Sequence, residues 1–141
     1  MKPTLWGGML LASSISTTQA TSPRPYDFDA QALIVNNAPC FYITSPKTDR
    51  PYAGTEILVY EKQAGRLNKI WQVWLKGRAR PASPESCVPY GEASTNPAPL
   101  HLNQLYHVVI DAGFPQVMEF CLNNSEGHLI LTKNTNKPCA Q

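Results

Sequence analysis

The sequence predicts an all-β chain: an antiparallel β-sandwich of about seven or eight short strands, braced by disulfides. Three observations carry this. Apolar and polar residues alternate with the period of a strand in one short run after another, and no run has a helical period. Turn formers separate the runs, with 13 prolines and 8 glycines in 141 residues. Four cysteines, Cys40, Cys87, Cys121 and Cys139, all fall after residue 20.

The clearest element spans residues 100–122. Tyr106, Val108 and Ile110 alternate with His107, Val109 and Asp111, and Ala112-Gly113-Phe114-Pro115 then turns the chain. Met118, Phe120 and Leu122 alternate with Glu119, Cys121 and Asn123 on the way back. Alternation sends one set to each face, so Tyr106, Val108, Ile110, Met118, Phe120 and Leu122 are the expected core side of a β-hairpin.

Four shorter runs precede it. Residues 32–35 form a strand ended by Asn36-Asn37, and 40–44 form the next. Pro46 and Pro51 break the chain before a third strand over 55–62, which places Ile57 and Val59 opposite Leu58 and Tyr60. A turn at 63–66 leads to a fourth strand over 70–76. Trp71, Val73 and Leu75 share its core face, and Trp74 sits on the polar face, partly exposed. Residues 78–99 hold five of the 13 prolines and read as a long loop with one short strand around 87–90. Loops of that length are usually functional or mobile. A last strand covers 128–132.

Residues 1–20 read as a secretory signal peptide. Lys2 supplies the charge, 5–15 the uncharged apolar run, and Thr18-Gln19-Ala20 the small residues before a cleavage site. Serine stands where a lipoprotein signal needs cysteine, so the expected product is exported, soluble and not lipidated. Residues 21–31 make a flexible lead-in, and 32–141 a single domain. The formal charge is +2, one less without Lys2, which gives no reason to expect nucleic acid or a membrane surface as partner.

An even number of cysteines in an exported chain implies two disulfides, and four cysteines allow three pairings. The favoured one joins Cys40 to Cys87 and Cys121 to Cys139, which in the chain-entropy model stabilises by about 4 and about 3 kcal/mol. No Cys-x-x-Cys occurs and the three histidines are scattered, so neither a metal nor a cofactor is expected.

Catalytic patterns are missing from the sequence. No Gly-x-Ser-x-Gly elbow and no glycine-rich phosphate loop occurs. His107 shares a face with Asp111 and, if the strand ran straight, with His101, but surface histidines near strand ends are far commoner than catalytic ones. Glu56, Glu61, Glu119 and Glu126 are dispersed. The expectation is a protein without enzymatic activity. Binding is easier to argue. Arg66, Lys69, Lys76, Arg78 and Arg80 put five positive charges within 15 residues, next to Tyr60 and Trp74. Arginine and aromatic residues dominate interface energetics, so Tyr60, Arg66, Trp74, Arg78 and Arg80, with the 78–99 loop, are the candidate contacts for an acidic protein surface. The same charges also fit a strand edge blunted against pairing.

Leu100, Tyr106, Val108 and Ile110 resemble the tyrosine corner of immunoglobulin-like and fibronectin-type sandwiches, in which the tyrosine hydroxyl ties back to upstream backbone. Val108 stands where a true immunoglobulin domain has cysteine. The order of features across 38–131 also resembles the small periplasmic immunity proteins of type VI secretion systems, many of them lipoproteins. Pro39-Cys40-Phe41-Tyr42-Ile43 opens the domain, and Pro84-Glu85-Ser86-Cys87 follows a hairpin rich in Trp and Tyr. Leu102-Asn103-Gln104-Leu105-Tyr106-His107-Val108-Val109-Ile110 and Phe120-Cys121-Leu122 complete it. The chain departs from that family in lacking the lipobox cysteine and in having the Cys121 and Cys139 pair. The resemblance implies a Cys40–Cys87 bond and a protein in the periplasm of a Gram-negative bacterium. It also implies a cognate toxic effector as partner, inhibited sterically. Other readings are a periplasmic inhibitor of a lysozyme or protease, a pilus or adhesin subunit, and a cell-wall enzyme.

Overall fold

Eight strands make two antiparallel sheets in the computed structural model, which describes residues 30–44, 51–94, 96–133 and 139. The strands are β1 (Ala30–Val35), β2 (Ala38–Ile43), β3 (Gly54–Gln63), β4 (Arg66–Lys76), β5 (Val88–Pro89), β6 (Leu105–Asp111), β7 (Pro115–Ser125) and β8 (His128–Lys133). The small sheet has the order β1-β2-β5, and the large one β4-β3-β6-β7-β8. The chain therefore crosses between sheets after β2, after β4 and after β5. This is the antiparallel sandwich that the alternation predicts, braced by the two disulfides that the cysteines predict. The signal peptide, most of the lead-in and residues 45–50 lie outside the described residues.

The two inner faces meet in one apolar core. Phe41 of the small sheet packs on Trp71 of β4 and Phe120 of β7, with ring centroids 6.3 and 6.0 Å apart. Tyr106 stacks on Phe120 at 5.3 Å. Ile57, Val59, Val108, Ile110 and Leu122 fill the space between, each 0 or 1 % exposed. Burying each such side chain contributes about 1.5–3 kcal/mol. Both disulfides have the expected pairing, Cys40–Cys87 and Cys121–Cys139, with Cα atoms 5.4 and 5.6 Å apart. Cys87 enters β5 and Cys40 lies on β2, so this bond reinforces one sheet and does not span the core.

Several elements differ from the expected ones. β1 begins at Ala30, within the segment read as a loose lead-in, because Ala30 and Gln31 pair with Ile43 and Tyr42 and Ala30 is fully buried. β4 starts at Arg66, not at Ile70. Its first residues are polar or exposed on both faces, so they show no alternation, yet the ladder to β3 holds them. A bulge opposite Val59 and Tyr60 takes Ile70 out of register. β3 opens on Gly54, where φ is +150° and a Cβ would lie 2.5 Å from the Leu75 carbonyl oxygen, so only glycine fits.

The long 78–99 connection is tied into the structure. The Ile43 amide donates to the Pro81 carbonyl at 2.8 Å, the Tyr90 amide to that of Pro39 at 2.8 Å, and the Tyr90 hydroxyl to Ala98 at 2.7 Å. Tyr106 forms the expected corner: its hydroxyl accepts from the His101 amide at 2.6 Å. Gln116, fully buried on β7, takes part in the sheet-to-sheet contact that the alternation does not reveal. Its Nε2 donates to the Thr44 carbonyl at 2.7 Å and its Oε1 accepts from the Thr44 amide at 3.2 Å.

Gln116→Ala removes both bonds from a dry site and should destabilise the fold by about 2–4 kcal/mol. Urea unfolding of the oxidised protein measures this, and a loss below about 1 kcal/mol would show that the bridge is dispensable. Burial pushes the Tyr90 hydroxyl up to about 12, and also raises that of Tyr106. Both are raised above the value of about 10 they take when unfolded, so their stabilisation is complete below pH about 10 and is lost as pH rises through the raised values, which for Tyr90 means about 12. Unfolding free energy measured from pH 8 to 11.5 should fall above 10, and a flat profile would contradict this.

Candidate functional site

Pairing across the large sheet brings four rows of side chains to its outer face. The first is Trp74, Glu56, Asp111 and Pro115; the second is Gln72, Leu58, Val109 and Val117. The third is Lys69, Tyr60, His107 and Glu119, and the fourth runs from Leu67 through Lys62 and Leu105 to Cys121. Leu58, Val109 and Val117 make a half-buried apolar strip between two polar groups. On one side the Lys69 ammonium donates to Gln72 Oε1 and Gln72 Nε2 to Glu56 Oε1, both at 2.6 Å. On the other, the Lys62 ammonium reaches across β6 to Glu119 at 2.7 Å, and His107 Nδ1 lies 3.3 Å from the same carboxylate oxygen. Tyr60 and His107 rings are 6.2 Å apart.

The five residues singled out from the sequence do not form one patch. Tyr60 and Trp74 share the outer face, and Trp74 is 46 % exposed as its alternation predicts. Arg66 stands at the tip of the β3–β4 hairpin, roughly 25 Å along the strand from Trp74. Arg78 is paired with Glu92, which ties the start of the long connection to its middle. Arg80 is half-buried and structural: its Nε donates to the Ala112 carbonyl at 2.9 Å, and its guanidinium lies 4.5 Å from the centre of the Tyr52 ring. Tyr52 in turn donates to the Arg78 carbonyl at 2.9 Å. The basic residues left exposed along the strand itself are Arg66, Lys69 and Lys76.

Sequence reasoning missed the Lys62–Glu119–His107 group, because Lys62 and Glu119 belong to different hairpins and meet only through β6. It missed the Lys69–Gln72–Glu56 chain because the bulge shifts the register on which that meeting depends. A second feature is a cleft of about 340 Å³ between Pro39, Tyr90, Pro97, Leu100, Leu122 and Leu129. Among the described residues no cluster of His, Cys, Asp and Glu could hold a metal ion.

The two β4 tryptophans should separate cleanly. Trp71 is 4 % exposed in the core and Trp74 is at the surface, so Trp71→Ala should cost about 3–5 kcal/mol and Trp74→Ala less than about 1. Equal losses in denaturant unfolding would contradict the faces assigned here. No family model, curated protein or solved structure matches the chain.

Proposed function

We propose that this chain is an exported immunity protein, directed to the periplasm by residues 1–20, that binds a toxic effector delivered by a type VI secretion system and blocks it sterically. The observation that carries the reading is an exposed aromatic next to an apolar strip on the outer face of the large sheet. Trp74 stands 46 % exposed beside the Leu58–Val109–Val117 strip, on a sheet whose backbone is held by its ladder and by the Cys121–Cys139 bond. A rigid sheet loses little conformational entropy on docking, and an exposed tryptophan is the residue type most enriched among energetic anchors. The target class comes from the resemblance of the chain's short segments to the immunity family. Two disulfides suit an oxidising compartment. Arg80, held by Tyr52 and Ala112, drops out of the contact set, and Lys69 takes its place beside Tyr60, on the same face as Trp74.

The test is rescue of toxin-exposed cells, with pull-down of the toxin from periplasmic extract. Trp74→Ala should weaken toxin capture about 30-fold, the loss of about 2 kcal/mol expected of an anchor, with the fold intact. Thr132→Ala, at the far side of the sheet, should leave capture unchanged. Full rescue by the Trp74 variant would overturn the binding face. Stoichiometric recovery of a lysozyme, protease or pilus subunit would overturn the target class.

A further inference from the structure

The outer edge of β4 is the feature that the reading above does not use. β4 closes one side of the large sheet, and among the described residues only β3 pairs with it. The bulge at Ile70 shifts its register by one residue, and the part beyond, Trp71 to Lys76, continues in regular register against β3. An edge of this kind presents unpaired amides and carbonyls to any extended segment that comes alongside. The core beneath it is not fully closed: Trp71, Val73 and Leu75 are 4, 6 and 8 % exposed, against 0 % for Ile57 and Val59 on the neighbouring strand.

Charge decides what such an edge accepts. β4 carries Arg66, Lys69 and Lys76 and no acidic residue, and all three cations are exposed. A second copy pairing antiparallel along Trp71 to Lys76 would bring the Lys76 of each chain towards the Lys69 of the other. Like charges facing across strands are destabilising. The edge thus repels itself and attracts the opposite sign.

We infer that the β4 edge is a strand-addition site for an extended acidic segment of a protein partner, about seven residues long, with acidic residues opposite Lys69 and Lys76. Its alternate side chains would cover the Val73 and Leu75 rim on one face and lie beside Trp74 on the other. This rests on the reading of the chain as a protein-binding module, and adds the backbone geometry by which the partner is held.

Hydrogen exchange of the oxidised protein provides the test, with two capped heptapeptides as probes at millimolar concentration, one alternating glutamate with valine and one alternating lysine with valine. The glutamate peptide should slow amide exchange across Trp71 to Lys76 at least tenfold, and the lysine peptide should not. The K69E/K76E variant should reverse the preference. Equal effects of the two peptides, or none, would overturn the site. So would protection of β4 that rises with protein concentration in the absence of peptide, which would assign the edge to a second copy. The outcome is independent of toxin rescue: a captured toxin that leaves β4 exchange unchanged would overturn the edge and leave the immunity reading standing.

Discussion

Each time the backbone leaves one sheet for the other, its amides and carbonyls lose their ladder partners, and a dry interior tolerates few orphans. This requirement organises the molecule. After β2 the Thr44 amide and carbonyl are met by the Gln116 side chain. After β4 the Arg78 carbonyl is met by Tyr52, and Arg80 reaches the Ala112 carbonyl. Before β6 the Ala98 carbonyl is met by Tyr90 and the His101 amide by Tyr106. Three tyrosines, a glutamine and an arginine thus seal the crossings. Each has an apolar or planar body that packs and a polar end that pairs, which is why plain aliphatic residues could not replace them.

The strands were legible in the sequence to the extent that one face of each is buried. Tyr106, Val108 and Ile110, or Trp71, Val73 and Leu75, sort themselves by alternation, and Trp74 sorts to the other side. Where both faces are wet the signal vanishes, as in the first residues of β4. Where the strand is only Val88–Pro89 there is too little of it to alternate. Gln116 illustrates a different loss. It lies on the buried face of β7, at 0 % exposure, but its polar character reads as surface until Thr44 is placed opposite it. The crossings depend on non-local partners, and those are what a linear pattern does not contain.

The candidate surface follows the same logic. Tyr60 and Trp74 could be put on one face from their parity alone. The five-charge cluster could not be resolved, because a positive charge used to hold backbone in place looks the same in sequence as one offered to solvent. Arg80 is tied to the Ala112 carbonyl and Arg78 is an exposed charge paired with Glu92, whereas Arg66, Lys69 and Lys76 remain as charges of the strand itself. The rest of the outer face carries Glu56, Asp111 and Glu119 against Lys62, so the basic excess belongs to the edge and not to the sheet.

The Cys40–Cys87 bond has a consequence for how the molecule assembles. In the large sheet β3 and β4 form one hairpin, and β6, β7 and β8 two more, all built from neighbouring sequence. The small sheet is different: β5 must find β2 across 47 residues, and only Cys40 and Phe41 await it as ladder partners. Such a closure is entropically costly for so few bonds. The disulfide makes it once and retains it, so the third strand of the small sheet is a product of oxidation as much as of sequence. A reducing compartment would leave the hairpins their local pairing and deprive the small sheet of its tether.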